Sequence, residues 1–361
     1  MKTNILDDVK MIRKIDQGHV AESIALLPEQ IKQVLHEANS IKVPADYKKI
    51  NKVVVNGMGG SSLGAYIIKA ALSDKLKAPI DVVSDYSVPA YVDSNTLYVI
   101  CSYSGTTEEP LSTYNEAKKR KAKIMAVTEH SAKSKLEILM KKDKVPGYVF
   151  VPKNNPSNQP RLGVGYTVFG IITMLAKAGI FKLSQKDIES IIKTMKRWNN
   201  DFIIEKPLAK NPAKKIISQL KDRMPILASG GFLAGNLHTL RNQINECGKN
   251  YSSYLVLPDL NHYAMEGLVY PKTNKKDIAF LFFDSKLFHE RVQKRAILTK
   301  QVVKKNGINV LSYQLRGKTK LEQAFELLQF GSWLSYYLGM QNNVDPVKIP
   351  WVDWFKKELE K

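Results

Sequence analysis

Leu97-Tyr-Val-Ile-Cys-Ser-Tyr-Ser-Gly-Thr-Thr-Glu108 is an apolar run that breaks abruptly into hydroxyls. The part 97–101 reads as a buried strand, and the hydroxyl-rich remainder reads as a turn into a helix. Ser102, Ser104, Thr106 and Thr107 crowd around Gly105, whose backbone freedom permits a tight turn. A helix starting near Thr107 aims its free N–H groups at the same spot, which suits a bound anion. Hydroxyls and backbone amides of this kind can hold a sugar phosphate without Mg²⁺ or a lysine clamp. The alternative is an ordinary Ser/Thr cap on a strand-to-helix turn.

A second signal of the same kind lies upstream. Lys52-Val-Val-Val-Asn56 runs into Gly57-Met-Gly-Gly-Ser-Ser-Leu-Gly64, with Ser61 and Ser62 where a helix should begin. A dinucleotide site is also open here, since Asp85 closes the next strand where a ribose-binding acid belongs. The glycines at 57, 59, 60 and 64 depart from G-x-G-x-x-G spacing, however. Two hydroxyl-bearing turns fit one phosphate site shared by adjacent strands better.

Working outward, residues 1–45 read as an N-terminal helical segment, with helices over 12–17 and 22–38. Strands are predicted at 52–56, 80–84, 97–101, 123–128 and 147–151, alternating with helices near 62–74, 108–120 and 132–141. Two further helices, 165–178 and 185–205, complete a first α/β domain over 46–206 with a parallel sheet. Lys206-Pro-Leu-Ala-Lys-Asn-Pro212 marks a boundary. A second α/β domain, 207–345, is predicted from strands 224–229, 252–256, 277–283 and 308–314 and helices 232–246, 287–303 and 320–339. Its glycine turn, Ser229-Gly-Gly231, repeats the first one without a serine pair, so this half has the architecture without the phosphate chemistry. A C-terminal helical segment, 346–361, takes in the end of the extended stretch Asp345-Pro-Val-Lys-Ile-Pro350 and a last helix from Trp351.

Composition narrows the classes. At 361 residues the chain has room for two ordinary domains, and 44% apolar with 25% charged content is that of a globular protein. No apolar run reaches membrane-spanning length, and residues 1–8 hold no apolar signal-peptide core, so cytoplasm is the expected location. Two cysteines, Cys101 and Cys247, exclude a disulfide framework and any zinc spacing. The six histidines show no metal-ligand spacing, so neither metal nor other cofactor is expected. The formal charge of +21 comes mostly from lysines dispersed along the chain, with nine arginines among 55 basic residues. No nucleic-acid-binding module accompanies them, so the charge reads as a solvated surface that also attracts phosphorylated substrates.

Three further polar residues stand out. Arg161 precedes a buried apolar helix, where it is either a surface cap or a planar cation facing an oxyanion. Glu246 in Asn245-Glu-Cys-Gly-Lys-Asn250 sits at a helix C-terminus, where a carboxylate opposes the helix dipole. That mild penalty makes it a candidate base. Sixteen residues on, His262 ends Leu257-Pro-Asp-Leu-Asn-His262, as a helix-entry residue or as an acid for proton relay.

Together these motifs resemble the archaeal-type bifunctional phosphoglucose/phosphomannose isomerases, members of the phosphoglucose isomerase superfamily with two sugar-isomerase (SIS) domains. The resemblance runs from about residue 45 to the C-terminus, in order. The Ser102–Thr107 motif marks any SIS domain, whereas the Glu246 and His262 motifs are specific to this branch. It implies two SIS-type parallel-sheet α/β/α sandwiches and an aldose-ketose isomerase acting on glucose and mannose 6-phosphates. Gly60, Ser61, Ser102, Ser104 and Thr107 are then expected on the phosphate and Arg161 on the enediolate. Glu246 is expected as base, His262 as ring-opening residue and Lys356 as a C-terminal helper, with Lys357 its rival. A homodimer that lends His262 to the neighbouring site is also implied. The family more often carries Glu and Asn where this chain has Asp259 and Tyr263, and no threonine follows Thr319. Two other readings stay open at this stage, an SIS-type sugar-phosphate-sensing regulator and an SIS isomerase for another sugar phosphate.

Overall fold

The apolar runs form two all-parallel sheets with helices on both faces. A computed structural model describes residues 4–361. The chain enters through α1 (Val9–Ile15), α2 (Val20–Ala25) and α3 (Leu27–Ala38). The helix predicted over 22–38 is broken at Leu26, because Pro28 has no N–H to donate and is accommodated in the first turn of α3.

The first sheet contains β1 (Lys52–Asn56), β2 (Ile80–Val83), β3 (Thr96–Ser102), β4 (Lys123–Glu129) and β5 (Gly147–Phe150), in the order β2-β1-β3-β4-β5. Every residue of β3 is buried, as a central parallel strand covered on both faces requires. The intervening helices are α4 (Leu63–Ala71), α5 (Glu108–Lys119) and α6 (Lys135–Asp143), and next come α7 (Val164–Lys177) and α8 (Gln185–Asn199). The helix predicted to run to 205 ends at Asn199, whose side-chain oxygen accepts bonds from Gln329 Nε2 (2.9 Å) and Trp333 Nε1 (2.8 Å). The chain then turns so that Phe202 enters the core.

Short α9 (Pro212–Ile217) is not among the predicted helices, although Asn211-Pro212 is a sound start signal. Asn211 accepts bonds from the amides of Ala213 and Lys214. The second sheet holds β6 (Met224–Gly230), β7 (Ser253–Leu257), β8 (Ile278–Asp284) and β9 (Asn309–Gln314), ordered β7-β6-β8-β9. Its helices are α10 (Ala234–Glu246), α11 (Asn274–Asp277), α12 (Glu290–Lys305) and α13 (Lys320–Gln341), and α14 (Pro350–Leu359) ends the chain. None of the helices among the described residues is long and apolar enough to cross a membrane.

Two features join the halves. The 22-residue α13 puts Leu321, Phe325 and Leu328 into the core of the first unit and Phe330, Trp333 and Leu334 into that of the second. Its Glu326, fully buried, accepts bonds from Tyr313 Oη (2.9 Å) and the amides of Arg316 (2.8 Å) and Gly317 (2.9 Å), so the buried charge is saturated. The N-terminal helices also straddle the units, with Ile31 and Val34 in one core and Ile12 and Ile24 in the other. The second joint is the approach of α4 to α10, where a Cβ on Gly235 would lie 2.1 Å from the Tyr66 carbonyl oxygen.

Gly235→Ala should therefore force the two helices apart. Overpacking of this kind costs about 1–3 kcal/mol or more. A lowered urea midpoint with retained secondary structure is expected, and an unchanged midpoint would mean that the joint yields freely.

Candidate active site

The phosphate-type turns lie at the carboxyl ends of neighbouring β1 and β3, where the connections diverge to opposite sides of the sheet. After β1, Gly59 (φ +50°) and Gly60 form a short 3₁₀ turn into α4, and a Cβ on Gly59 would meet nothing within 4 Å. After β3, Gly105 takes φ +67°, and a Cβ there would lie 1.9 Å from Ser134 Oγ, so only glycine fits. The Tyr103 amide donates to Ser61 Oγ (3.1 Å) and thereby ties the two turns together.

The hydroxyls divide into two sets. Ser61 and Ser102 are buried, and Ser102 Oγ donates to Thr107 Oγ1 (2.9 Å). Ser104 is exposed and paired to Thr106 (3.0 Å). Thr107 is the N-cap of α5 in extended conformation, yet its side chain makes no capping bond. The first amides of α5 therefore lack a side-chain partner from their own cap, the condition under which a helix N-terminus accepts an anion.

Arg161 borders these turns. It sits in the 3₁₀ turn Pro160–Leu162, and a Cβ on Gly60 would lie 3.8 Å from its Cα. Its loop is held by Asn155 Nδ2, which donates to Tyr103 Oη (3.1 Å) and to the Gln159 carbonyl (2.9 Å). Gln30 Nε2 adds a bond to the Leu162 carbonyl (3.1 Å). The guanidinium donates to Gln159 Oε1 (3.2 Å) and to the carbonyls of Pro346 (3.4 Å) and Val347. Its Nε is buried without a partner, an unsatisfied donor of the kind that costs stability unless something fills it.

Glu246 closes α10 beside this arginine. Burial pushes its carboxyl above the ordinary glutamate value, while the charges of Arg161, Lys249 and Lys356 pull the other way. The C-terminus of α10 is fixed by α13, since Gly339 lies against the Cys247 carbonyl and Asn342 Nδ2 donates to the Gly248 carbonyl (3.0 Å). Cys101 and Cys247 are both free and buried, and burial raises both thiols.

Lys249 belongs to the same short motif as Glu246, and its own side chain contributes to the site. It has φ +50° and donates to the carbonyls of Glu246 and Pro346 (3.3 Å to the latter). Burial is the largest of the influences that hold its ammonium below the ordinary lysine value. That left-handed backbone leaves no mark in the sequence, although a lysine just past a helix end is a known favourable partner for its carbonyls. Arg161 and Lys249 together pin Pro346, the linker that delivers α14 and Lys356. Lys356 is exposed, and its charge acts on Glu246.

His262 ends the 3₁₀ turn Asp259–His262 and is exposed, with no side-chain hydrogen bond to described residues. Its neighbour Asn261 anchors the loop through Thr299 Oγ1 (2.7 Å) and Arg295 (3.2 Å). A single chain thus brings together the two turns, Arg161, Glu246, Lys249 and Lys356, while no contact among the described residues ties the exposed His262 to them. Among the described residues no group of three His, Cys, Asp or Glu could hold a metal ion.

Comparison with known proteins bears directly on this geometry. The chain is 32% identical over 345 residues to the bifunctional phosphoglucose/phosphomannose isomerase of Caldicellulosiruptor bescii, covering 94% of this chain and 98% of that protein. It belongs to the bifunctional phosphoglucose/phosphomannose isomerase family. Family proteins of Aquifex aeolicus (28% identical, 88% of this chain and 93% of the relative) and Thermoplasma acidophilum (30%, 86% and 90%) agree. Residues 209–359 match the family described as bacterial phospho-glucose isomerase C-terminal SIS domain. A hypothetical protein of Thermus thermophilus shares the fold at 15% identity, with a TM-score of 0.74 over 97% of this chain and 93% of that one.

The raised proton affinity of Glu246 has a measurable sign. A carboxyl whose value is raised on folding favours the folded state below its unfolded value, and that contribution is lost as pH rises through the folded value. Glu246→Gln mimics the protonated form. Its urea midpoint should equal the parent's near pH 4 and exceed it at pH 7.5. A lower midpoint for the variant at pH 7.5 would identify the carboxylate as a stabilising ion-pair partner instead.

Proposed function

We propose that this chain interconverts glucose 6-phosphate and mannose 6-phosphate with fructose 6-phosphate through a cis-enediolate, without a metal ion. The observation that carries the reading is a half-buried carboxylate, Glu246, among three cations and next to a hydroxyl-rich anion turn. Ser104, Thr107 and the amides of Gly60 and α5 take the phosphate, while Ser61 and Ser102 hold the turns in place. Remote phosphate binding positions C1 and C2 of the sugar.

Lys356 or His262 moves the ring proton and opens the sugar. Glu246 removes the proton from C2 and returns it to C1, and its raised affinity moves it toward the working pH, as a general base requires. The negative oxygen of the enediolate falls to Arg161, whose Nε is an unsatisfied donor in a low-dielectric setting. Lys249 is a positioning residue that holds the C-terminus of α10 and the linker. Return of the proton to the other face of C2 yields mannose 6-phosphate. A sugar-phosphate-sensing regulator would use the same turns but leaves Glu246 and its cations without a task.

The catalytic unit is proposed to be a homodimer in which His262 serves the neighbouring chain. Its exposure supports this, as do exposed Tyr263, Tyr270, Trp351, Trp354 and Phe355, an apolar excess that suits an interface. Two buried free cysteines fit the reducing cytoplasm expected from the sequence.

Glu246→Gln should lower turnover of both glucose 6-phosphate and mannose 6-phosphate by ~10²–10⁴-fold. The parent's activity should survive dialysis against EDTA. A coupled assay checks both, and a variant with more than about a tenth of parental turnover would remove Glu246 from the role of base.

Subunit sharing is tested by mixing two inactive variants. Glu246→Gln and His262→Ala, co-expressed, should yield about half of parental activity per heterodimer and about a quarter in a random mixture, taking the sites as independent. No recovery in heterodimers confirmed by mass would place both residues' action within one chain.

A further inference from the structure

The second sheet repeats the topological feature that places the phosphate turns in the first. β6 and β8 are parallel neighbours, and their connections diverge, through α10 to β7 on one side and through α12 to β9 on the other. In open parallel sheets ligands bind in the crevice outside the carboxyl ends of the strands at such a switch point. In the first unit that crevice carries the hydroxyl turns. In the second it opens into a cleft of about 630 Å³, within the size range of small-molecule sites.

The floor of this cleft is aromatic. Tyr66 of α4 stacks on His238 of α10 with ring centroids 4.1 Å apart and planes at 23°. Phe232 and Phe288 pack 4.9 Å apart beside them. Burial, with help from the Arg241 charge, holds the His238 imidazole down at about 4, so near neutral pH it is an uncharged planar surface and not a cation. Gly231 lines the mouth and is exposed, and a Cβ there would meet nothing within 4 Å. Backbone and open space meet at this turn, as they do at Gly59 in the first site.

The rim is basic. Lys69 is exposed and makes no side-chain hydrogen bond or ion pair with described residues. Lys320 also lines the cleft, and its one ion pair, to Asp74 at 2.8 Å, is on the surface and therefore weak. No run of serines and threonines comparable with Ser102–Thr107 lines it, so it lacks the hydroxyl turn assigned to the phosphate in the first site. Planar rings below, with the unpaired Lys69 ammonium and the surface-paired Lys320 ammonium above, match a ligand with a flat ring at one end and a phosphate at the other.

We propose that this second switch-point cleft is a binding site for a nucleotide, with the base against Tyr66 and His238 and the phosphate at Lys69 and Lys320. The site is separate from that of Glu246, which lies at the far end of α10, and binding there requires no isomerase chemistry.

Calorimetric titration of the full chain with adenosine monophosphate tests it, with adenosine and inorganic phosphate as separate probes. One saturable site per chain is expected, with either half-ligand weaker by at least about tenfold, or 1.4 kcal/mol. Gly231→Leu should abolish the binding by filling the mouth, and the double variant Lys69→Ala, Lys320→Ala should weaken it by at least about tenfold. Turnover of glucose 6-phosphate should be the same in these variants as in the parent. Absence of saturable binding at millimolar nucleotide overturns the proposal. So does binding that both variants leave intact, or that fructose 6-phosphate fully displaces. None of these readouts depends on whether Glu246 is the base, so the two readings fail separately.

Discussion

The approach of α4 to α10 is the contact on which both clefts depend. Each helix comes after the first strand of its own sheet, and each begins at a glycine turn. Gly235 has no side chain to keep the helices apart, and the Tyr66 carbonyl occupies the space a Cβ would fill. On its other side, α4 meets α7 through Gly64, where a Cβ would lie 2.8 Å from Val168 Cα. Close backbone approach at two glycines locks the three helices into one layer between the sheets. The start of α4 then faces the phosphate turns, and α10 spans from one cleft to Glu246. Burial of α13 on nearly every face, with the Glu326 carboxylate saturated by hydrogen bonds, keeps this layer from sliding.

The chemistry of the first cleft comes from an imbalance of charge. One carboxylate is partly removed from water and surrounded by three cations from different parts of the chain. Desolvation favours the protonated form, and the cations favour the ionised one. The balance leaves a carboxyl that binds its proton more tightly than an exposed glutamate while still able to release it. Arg161 and Lys249 do more than contribute charge, since their bonds to Pro346 and Val347 fasten the C-terminal linker. The same cations that act on the Glu246 carboxyl therefore also hold the linker to Lys356.

The two switch points present different surfaces on one architecture. At β1 and β3 the turns present hydroxyls and free amides, which suit a phosphate on a polar sugar. At β6 and β8 the corresponding turn lacks the serine pair, and rings from α4 and α10 take the place of the hydroxyls. The missing serine pair is legible in the sequence of that turn. The cleft is not, because Tyr66, His238, Phe288 and Lys320 are scattered over most of the chain.

Much of this protein was determined locally. All nine strands stand within a residue or two of the positions read from the sequence, most plainly β3, which is buried on both faces and therefore almost continuously apolar. The hydroxyl-rich turn holding Ser104, Gly105 and Thr107 could be singled out because it is contained in six residues. The break at Pro28, the stop at Asn199 and the start at Asn211 also have local signals, but tertiary bonds selected among the possible ends. What only the tertiary structure decided is which distant groups meet. Lys249 acts through a left-handed backbone and a carbonyl nearly a hundred residues away, and the charge of Lys356 reaches Glu246 from the far end of the chain. Glu246 acquires its raised proton affinity from burial, against the opposing pull of Arg161, Lys249 and Lys356, and desolvation belongs to the packed interior and not to any stretch of sequence.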